Sequence, residues 1–225
     1  MKKSILVNKN IKAVNREYLN SSKLSSEFQK VKWGSKVSMI NRFKLAIKIL
    51  KNQSIDKWLD VGSGTGLFFV ISDKFDFNTK DRCGVELNKN LYNFSKKKKY
   101  KINTKFINKD IIRINDNSKY DLITLIGTLQ NCGHDPFFFL KKIITKIKKN
   151  GLIFLTSKNL NWHEFKKKNL LPEKSHSWFN TQDIALFLKK NGIKILKKKG
   201  FVPKDGRIVK EELSHTFFIL GKKIN

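Results

Sequence analysis

Cysteine is scarce in this chain. Among 225 residues there are two, Cys83 and Cys132. That is too few for a disulfide framework, and their spacing suits no metal site. No apolar run approaches the roughly 20 residues that a membrane-spanning helix needs. The opening "MKKSILVNKN" has a basic flank, but its apolar stretch breaks off at Asn8 and Lys9. A signal peptide needs about 7–15 apolar residues. These absences lead to the expectation of a cytoplasmic protein with no transmembrane segment and no bound metal. Acidic residues are few, 18 against 48 lysines and arginines, and the net charge is +30 with a pI near 10.1. Arginine is scarce too: Arg16, Arg42, Arg82, Arg113 and Arg207 are all there are.

Such a charge raises nucleic acid as a partner. The scarcity of arginine argues against it, because lysine lacks the planar fork that suits specific phosphate or base recognition. Lysine, asparagine and isoleucine are abundant together, as an A/T-rich genome would make them whatever the function. Lys96 to Lys99 reads as a solvated helix face. Nucleic acid therefore stays open as a partner but is not favoured, and the oligomeric state stays open as well.

What is present is a folding chain. Hydrophobic residues make up 40% and aromatics 12%, enough for one well-buried core. Residues 1–37 are polar and irregular, and read as an extension of one or two short helices lying over the active site. The main domain is expected over 38–225. It begins with a helix in "SMINRFKLAIKILKN", where Met39, Ile40, Phe43, Ala46, Ile47 and Leu50 recur at helical spacing and Ser38 stands as the cap. Strands and helices then alternate. The strands are "KWLDV", "RCGVEL", "TKFIN", "YDLITLI" and "GLIFLTS". The helices fall at 67–74, 89–98, 135–149 and in "TQDIALFLKKNG", capped by Thr181 and stopped by Gly192. Continuous apolar strands separated by helices imply a parallel sheet covered on both faces. "IKILKK" and "HTFFILGKK" have only the loop "VPKDGRIVKE" between them. Without a crossover they must pair antiparallel.

The first core strand runs into Gly62, Gly64 and Gly66. Glycine at a strand end allows positive φ and close approach of the backbone to a ligand. In open α/β sheets that is where ligands bind. A dinucleotide fingerprint would be G-x-G-x-x-G, and here the third glycine comes one residue early. The pattern from Asp60, D-x-G-x-G-x-G, resembles motif I of the class I S-adenosylmethionine-dependent methyltransferases of the small-molecule type. "GVELN" places Glu86 at the end of the second strand, and "INKDII" places Asp110 after the third. The resemblance covers roughly residues 38–222. It implies a Rossmann-like α/β fold with a seven-stranded, mostly parallel sheet, a reversed C-terminal strand and helices on both faces. It implies S-adenosylmethionine as cofactor. Its cofactor-binding residues would be Asp60, Gly62, Ser63, Gly64, Gly66, Glu86, Leu87, Asp110, Ile111 and Gly127. In the family, an acid at the place of Glu86 accepts from the ribose hydroxyls, and one at the place of Asp110 lies near the adenine amino group. Asp60 would orient the loop or meet the cofactor's amino group.

The acceptor is less legible. After the fourth strand the chain reads "GTLQNCG". It lacks the (N/D)-P-P-(Y/F) motif of methyltransferases that act on base amino groups, and resembles small-molecule enzymes instead. Cys132, with no preceding proline, reads as a small residue and not a nucleophile. The acceptor side is expected from residues 31–43 and 161–179. The second segment carries Trp162, His163, His176, Trp178 and Phe179, a lid in which His163 or His176 could be a general base. His134 reads as a turn residue, His215 as structural and Arg42 as a surface residue. The expected function is methyl transfer to oxygen or nitrogen of a small molecule, such as a glycan sugar, a quinone precursor or another metabolite. An RNA methyltransferase, or a non-catalytic basic RNA-binding protein of the same fold, is the alternative.

Overall fold

The structure, a computed structural model, describes residues 3–7, 9–115 and 117–224. Met1, Lys2 and Asn8 of the expected extension, and Asp116 and Asn225 of the expected domain, lie outside the described residues. Two short helices come first, α1 (Ile11–Ser21) and α2 (Glu27–Lys30). α3 (Lys36–Leu50) follows, and then alternation sets in: β1 (Lys57–Val61), α4 (Leu67–Lys74), β2 (Asp81–Val85), α5 (Lys89–Lys96), β3 (Thr104–Ile107) and β4 (Tyr120–Ile126). The second half is α6 (Pro136–Ile144), β5 (Ile147–Lys158), α7 (Glu164–Lys167), α8 (Thr181–Lys190), β6 (Ile193–Val202), β7 (Arg207–Val209) and β8 (Thr216–Lys223).

The sheet order is β3-β2-β1-β4-β5-β8-β6-β7. β1 to β5 pair in parallel. β8 is reversed and slots between β5 and β6, antiparallel to both. The expected Rossmann-like sheet is there, with its reversed strand and the antiparallel pairing of β6 with β8. The strand count is eight instead of seven, because "VPKDGRIVKE" is not wholly loop. It contains β7, whose three residues pair with the end of β6.

Both faces are covered, which is why the strands read as unbroken apolar runs. Along β4, Ile123 and Leu125 enter one core with Leu140, Ile143 and Leu188 from α6 and α8. Their neighbours Leu122 and Ile126 enter the other, with Phe43, Ala46 and Phe68 from α3 and α4. Trp58 of β1 anchors the second core, edge-on to Phe68, Phe69 and Phe77 at 4.6–5.4 Å between centroids.

Three local expectations are corrected. α3 is capped by Ser35, whose hydroxyl accepts from the Ser38 amide, so the helix starts before Ser38. α8 is capped by Asn180, not Thr181. α6 ends at Ile144, short of 149. The sheet claims the chain there: the Tyr120 amide bonds to Lys146 O and Ile147 is 1% exposed. β-branched Ile143, Ile144, Thr145 and Ile147 favour that early exit.

Candidate active site

β1 and β2 end side by side, Val61 opposite Val85. Beyond Val61 the chain must turn sharply into α4. Gly62, Gly64 and Gly66 take φ of +73°, +55° and +73°, values that cost an L-residue about 1–2 kcal/mol each. The turn is tied to β2, because the Gly62 and Ser63 amides both donate to Val85 O. The Gly64 amide donates to Glu86 Oε2 at 2.8 Å, and Glu86 Oε1 accepts from the Asn88 amide at 2.8 Å. Glu86 is buried, and burial raises its pKa while the Asn88, Gly64 and Leu87 amides pull it back down.

These residues border one cavity of about 1220 Å³, its open mouth included. Of the sequence-derived set, Asp60, Gly62, Ser63, Gly64, Glu86, Leu87, Asp110, Ile111, Gly127 and His176 all line it. Gly66 does not. It caps α4, and a Cβ there would run into Tyr100, Phe106 and Ser95, so its role is packing of the helix entry on β3.

Asp60 ends a buried relay. Trp58 Nε1 donates to Thr124 Oγ1 at 2.8 Å, and that hydroxyl donates to Asp60 Oδ1 at 2.6 Å. Burial pushes the Asp60 pKa up to about 7, against the Thr124 bond that lowers it. Among the described residues its second oxygen accepts no hydrogen bond, and the residue faces the cavity. At the far end Asp110 caps a short turn through the Ile112 amide, while its Oδ2 pairs with His134 Nε2 at 2.9 Å. His134 stacks on Phe139. It is a turn residue as expected, with the added task of holding Asp110.

Two buried polar atoms bordering the cavity have no partner among the described residues: Ser63 Oγ and Asn131 Oδ1. Unpaired buried polar groups are costly, and both are poised to bond a polar ligand. The donor and acceptor set fits an adenosyl cofactor: a buried carboxylate at the end of β2, a second after β3, and close-approach glycines between them. Cys132 also lines the cavity, but its thiol donates to His134 O and burial raises its pKa to about 11. A protonated thiol is no nucleophile.

The roof over this cavity comes from the N-terminal segment. Ile11, Val14, Asn15 and Tyr18 of α1 line the cavity, with Val31 and Trp33. Tyr18 lies near Asn131 and Glu86, and burial raises its pKa to about 12. The Trp33 ring presses on Gly127, where a Cβ would come within 2.8 Å of it. Ile11, Val14 and Tyr18 recur at helical spacing, and that stripe is the face α1 turns to the site.

The two candidate bases separate. His163 is 41% exposed on its side chain, bonds Glu212 O through Nδ1 and meets Glu164 through Nε2, and does not line the cavity. His176 does line it. Its Nδ1 faces Ser175 Oγ at 2.9 Å and Glu173 at 3.4 Å, and burial with nearby Lys158 lowers its pKa. The aromatics of 161–179 mostly pack on each other, with Phe165 edge-on to both Trp162 and Trp178. Trp178 also bridges to Ile5 of the N-terminal segment.

A family model described as a methyltransferase domain matches residues 22–198. The chain belongs to that methyltransferase family. The expectation of a methyltransferase is borne out. Among solved structures it resembles an S-adenosylmethionine-dependent methyltransferase from Clostridium acetobutylicum ATCC 824, at 15% identity and TM-score 0.64, covering 94% of this chain and 99% of that one. It also resembles magnesium protoporphyrin IX methyltransferase from Synechocystis PCC 6803, at 13% identity and TM-score 0.66, with 94% and 95% covered. N-methyltransferase NodS from Bradyrhizobium japonicum WM9 matches at 9% identity and TM-score 0.65, with 94% and 99% covered. No curated protein matches significantly. Among the described residues no helix is long and apolar enough to cross a membrane, and no cluster of potential metal ligands occurs.

Proposed function

We propose that this methyltransferase acts on an oxygen or nitrogen of a small molecule. The observation that carries the reading is the roof. α1 and residues 31–33 lie over the glycine turn and cover part of the cavity, leaving a mouth, which suits a compact acceptor better than a polymer. Residues 1–37 then act as the cover of the site, and 38–225 as the catalytic domain.

Glu86 would hold the ribose hydroxyls, Asp110 and Ile111 the adenine, and Asp60 the amino group of the methionyl end. Leu87, Ser63, Gly62, Gly64 and Gly127 complete the walls. The sulfonium cofactor supplies a methyl group on a leaving group already activated by its charge. The protein has to align the acceptor and exclude water. Trp33, Met39 and Phe43 give the acceptor side an apolar lining. His176, whose pKa is lowered by burial so that the neutral form is favoured near pH 7, would take the acceptor's proton.

The net charge of +30 favours a second reading, methyl transfer to RNA. Incubation with methyl-labelled S-adenosylmethionine and a cell extract, followed by size separation, distinguishes the two. Label in the low-mass fraction supports the proposal, and label retained in ribonuclease-sensitive material supports RNA.

A further inference from the structure

We infer that Arg42, Trp33 and Lys158 form a subsite for an oxyanion, a carboxylate or phosphate carried by the methyl acceptor. The inference rests on the small-molecule reading above and narrows its substrate class.

Arg42 is 8% exposed, yet among the described residues no carboxylate lies within ion-pair distance of it. Its guanidinium donates to Ser38 O at 2.9 Å and, weakly, to Thr216 Oγ1 at 3.4 Å. It stacks over the Trp33 ring at 4.3 Å. Five donors are available on a guanidinium, so most of the fork is unspent. A buried, uncompensated charge costs several kcal/mol, and a fold that keeps one has a use for it. The lysine excess of the surface does not explain it, because Arg42 is neither a lysine nor on the surface.

More positive charge gathers nearby. Lys158 ends β5 opposite Thr216, with its ammonium over Trp178 at 4.9 Å. His215 precedes Thr216, its ring tilted against Trp162 at 5.5 Å between centroids. The one acid of the group is Glu173, 3.6 Å from Lys158 but 62% exposed and shared with His176. Burial lowers the Arg42 pKa to about 9, and Lys158 and Arg42 add to the burial that lowers His215 to about 4. Arg42, Lys158 and His215 all lean toward shedding charge, Arg42 through burial and the other two through burial and their positive neighbours.

The cluster adjoins the cavity without being part of the cofactor's end. Trp33, on which Arg42 stacks, lines the cavity, and so does His176, which shares Glu173 with Lys158. Arg42 bonds at Thr216 on β8, which stands three strands from β1 in the order β1-β4-β5-β8. At about 4.8 Å per strand that is roughly 14 Å from the glycine turn. Arg42 is 8% exposed, so a small oxyanion reaches its guanidinium more readily than a polynucleotide backbone does. A planar fork backed by an indole suits a carboxylate or phosphate held bidentately.

The test uses the full chain saturated with S-adenosylhomocysteine, whose own binding is measured first by calorimetry and reports on the methyltransferase reading separately. Benzoate and inorganic phosphate are then titrated, with neutral benzamide as control, following tryptophan fluorescence and melting temperature. At least one of the two anions should bind, benzamide should not, and Arg42→Met should weaken the anion by at least about tenfold. Lys158→Met should weaken it as well, and serves if Arg42→Met fails to fold. Without ligand, Arg42→Met should melt at the same temperature or higher, since it removes an uncompensated charge. Affinity for S-adenosylhomocysteine should stay unchanged in both variants. No anion binding at millimolar concentration, equal binding in both variants, or equal binding of benzamide overturns the inference. A loss of S-adenosylhomocysteine affinity in Arg42→Met overturns it too, by giving that arginine to the cofactor's carboxylate. Tighter binding of an RNA oligonucleotide than of either anion through Arg42 would replace it with a polymer site.

Discussion

The amide of Gly64 donates to Glu86 Oε2 at 2.8 Å, so the turn after β1 and the end of β2 hold one another. Glu86 therefore has two tasks: it fixes the glycine turn, and it offers its remaining lone pairs to a ligand. Glu86→Ala would strand the Gly64 and Asn88 amides. Glu86→Gln keeps one acceptor and is the cleaner probe. A hydrogen bond to a charged group contributes about 1.5–3 kcal/mol. The glutamine variant should lose about 10- to 150-fold in affinity for S-adenosylhomocysteine by calorimetry, with an unchanged far-ultraviolet dichroism spectrum.

Asp60 should make both stability and binding depend on pH. Its folded pKa, about 7, lies above the ordinary value near 3.9. The folded state thus keeps a proton that the unfolded chain releases. The stabilisation is fully present below about pH 4 and is lost as pH rises through 7. Asp60→Asn can still accept from Thr124 and should remove this fall, so the variant without ligand should be the more stable one at pH 8, by a few kcal/mol at most. Urea melts at pH 5 and pH 8 check it. If Asp60 meets the cofactor's ammonium, affinity for S-adenosylhomocysteine should rise from pH 6 to 8 in the wild type and stay flat in Asp60→Asn.

The two lid histidines should behave differently. His176→Ala should lower turnover by about 10²–10⁴-fold, while His163→Ala should stay within a few-fold of wild type. The pKa of His176 lies below its usual value. A neutral base is needed, so the rate should hold down to about pH 6.5 and fall only at lower pH. Rates for both variants across pH 5–8, at saturating cofactor, separate the cases. Wild-type turnover in His176→Ala would mean that the acceptor arrives already deprotonated.

Arg82 and Asp73 provide a stability test away from the cavity. Their side chains are 0% and 7% exposed and lie 2.5 Å apart. Arg82 also donates to Thr79 Oγ1 and Phe77 O, and the Lys101 amide reaches Asp73. Asp73→Asn breaks one partner of a buried pair and should cost about 3–5 kcal/mol in a denaturant melt. It should leave the affinity of whatever protein remains folded near the wild-type value.

The strands and the glycine turn were legible because each obeys a local rule. β4 and α4 fall on the residues their apolar patterns mark. Asp60, Glu86 and Asp110 sit at strand ends that the turn spacing locates. What stayed hidden depends on contacts between distant segments. Tyr18 and Trp33 lie on the N-terminal extension, and only the folded chain brings them over Asn131 and Gly127. Arg42 reads as a polar position on α3, and nothing local shows that Trp33 and Thr216 bury it. The end of α6 was misplaced because the pairing of Tyr120 with Lys146 and Ile147 overrides a run that otherwise suits a helix. The position of β8 between β5 and β6 follows from sheet packing, not from the hairpin-like reading of the last two strands.

The most direct measurement is calorimetric titration of S-adenosylhomocysteine onto the wild type and onto Gly64→Val, with NAD as the control ligand. At φ +55° a Cβ is strained, and it would meet Val31 Cγ1 at 2.9 Å, so valine must disturb the turn and the roof together. The account predicts one site on the wild type, none detectable on the folded variant, and no heat with NAD. Absence of binding to the wild type, or equal affinity in Gly64→Val, would contradict it.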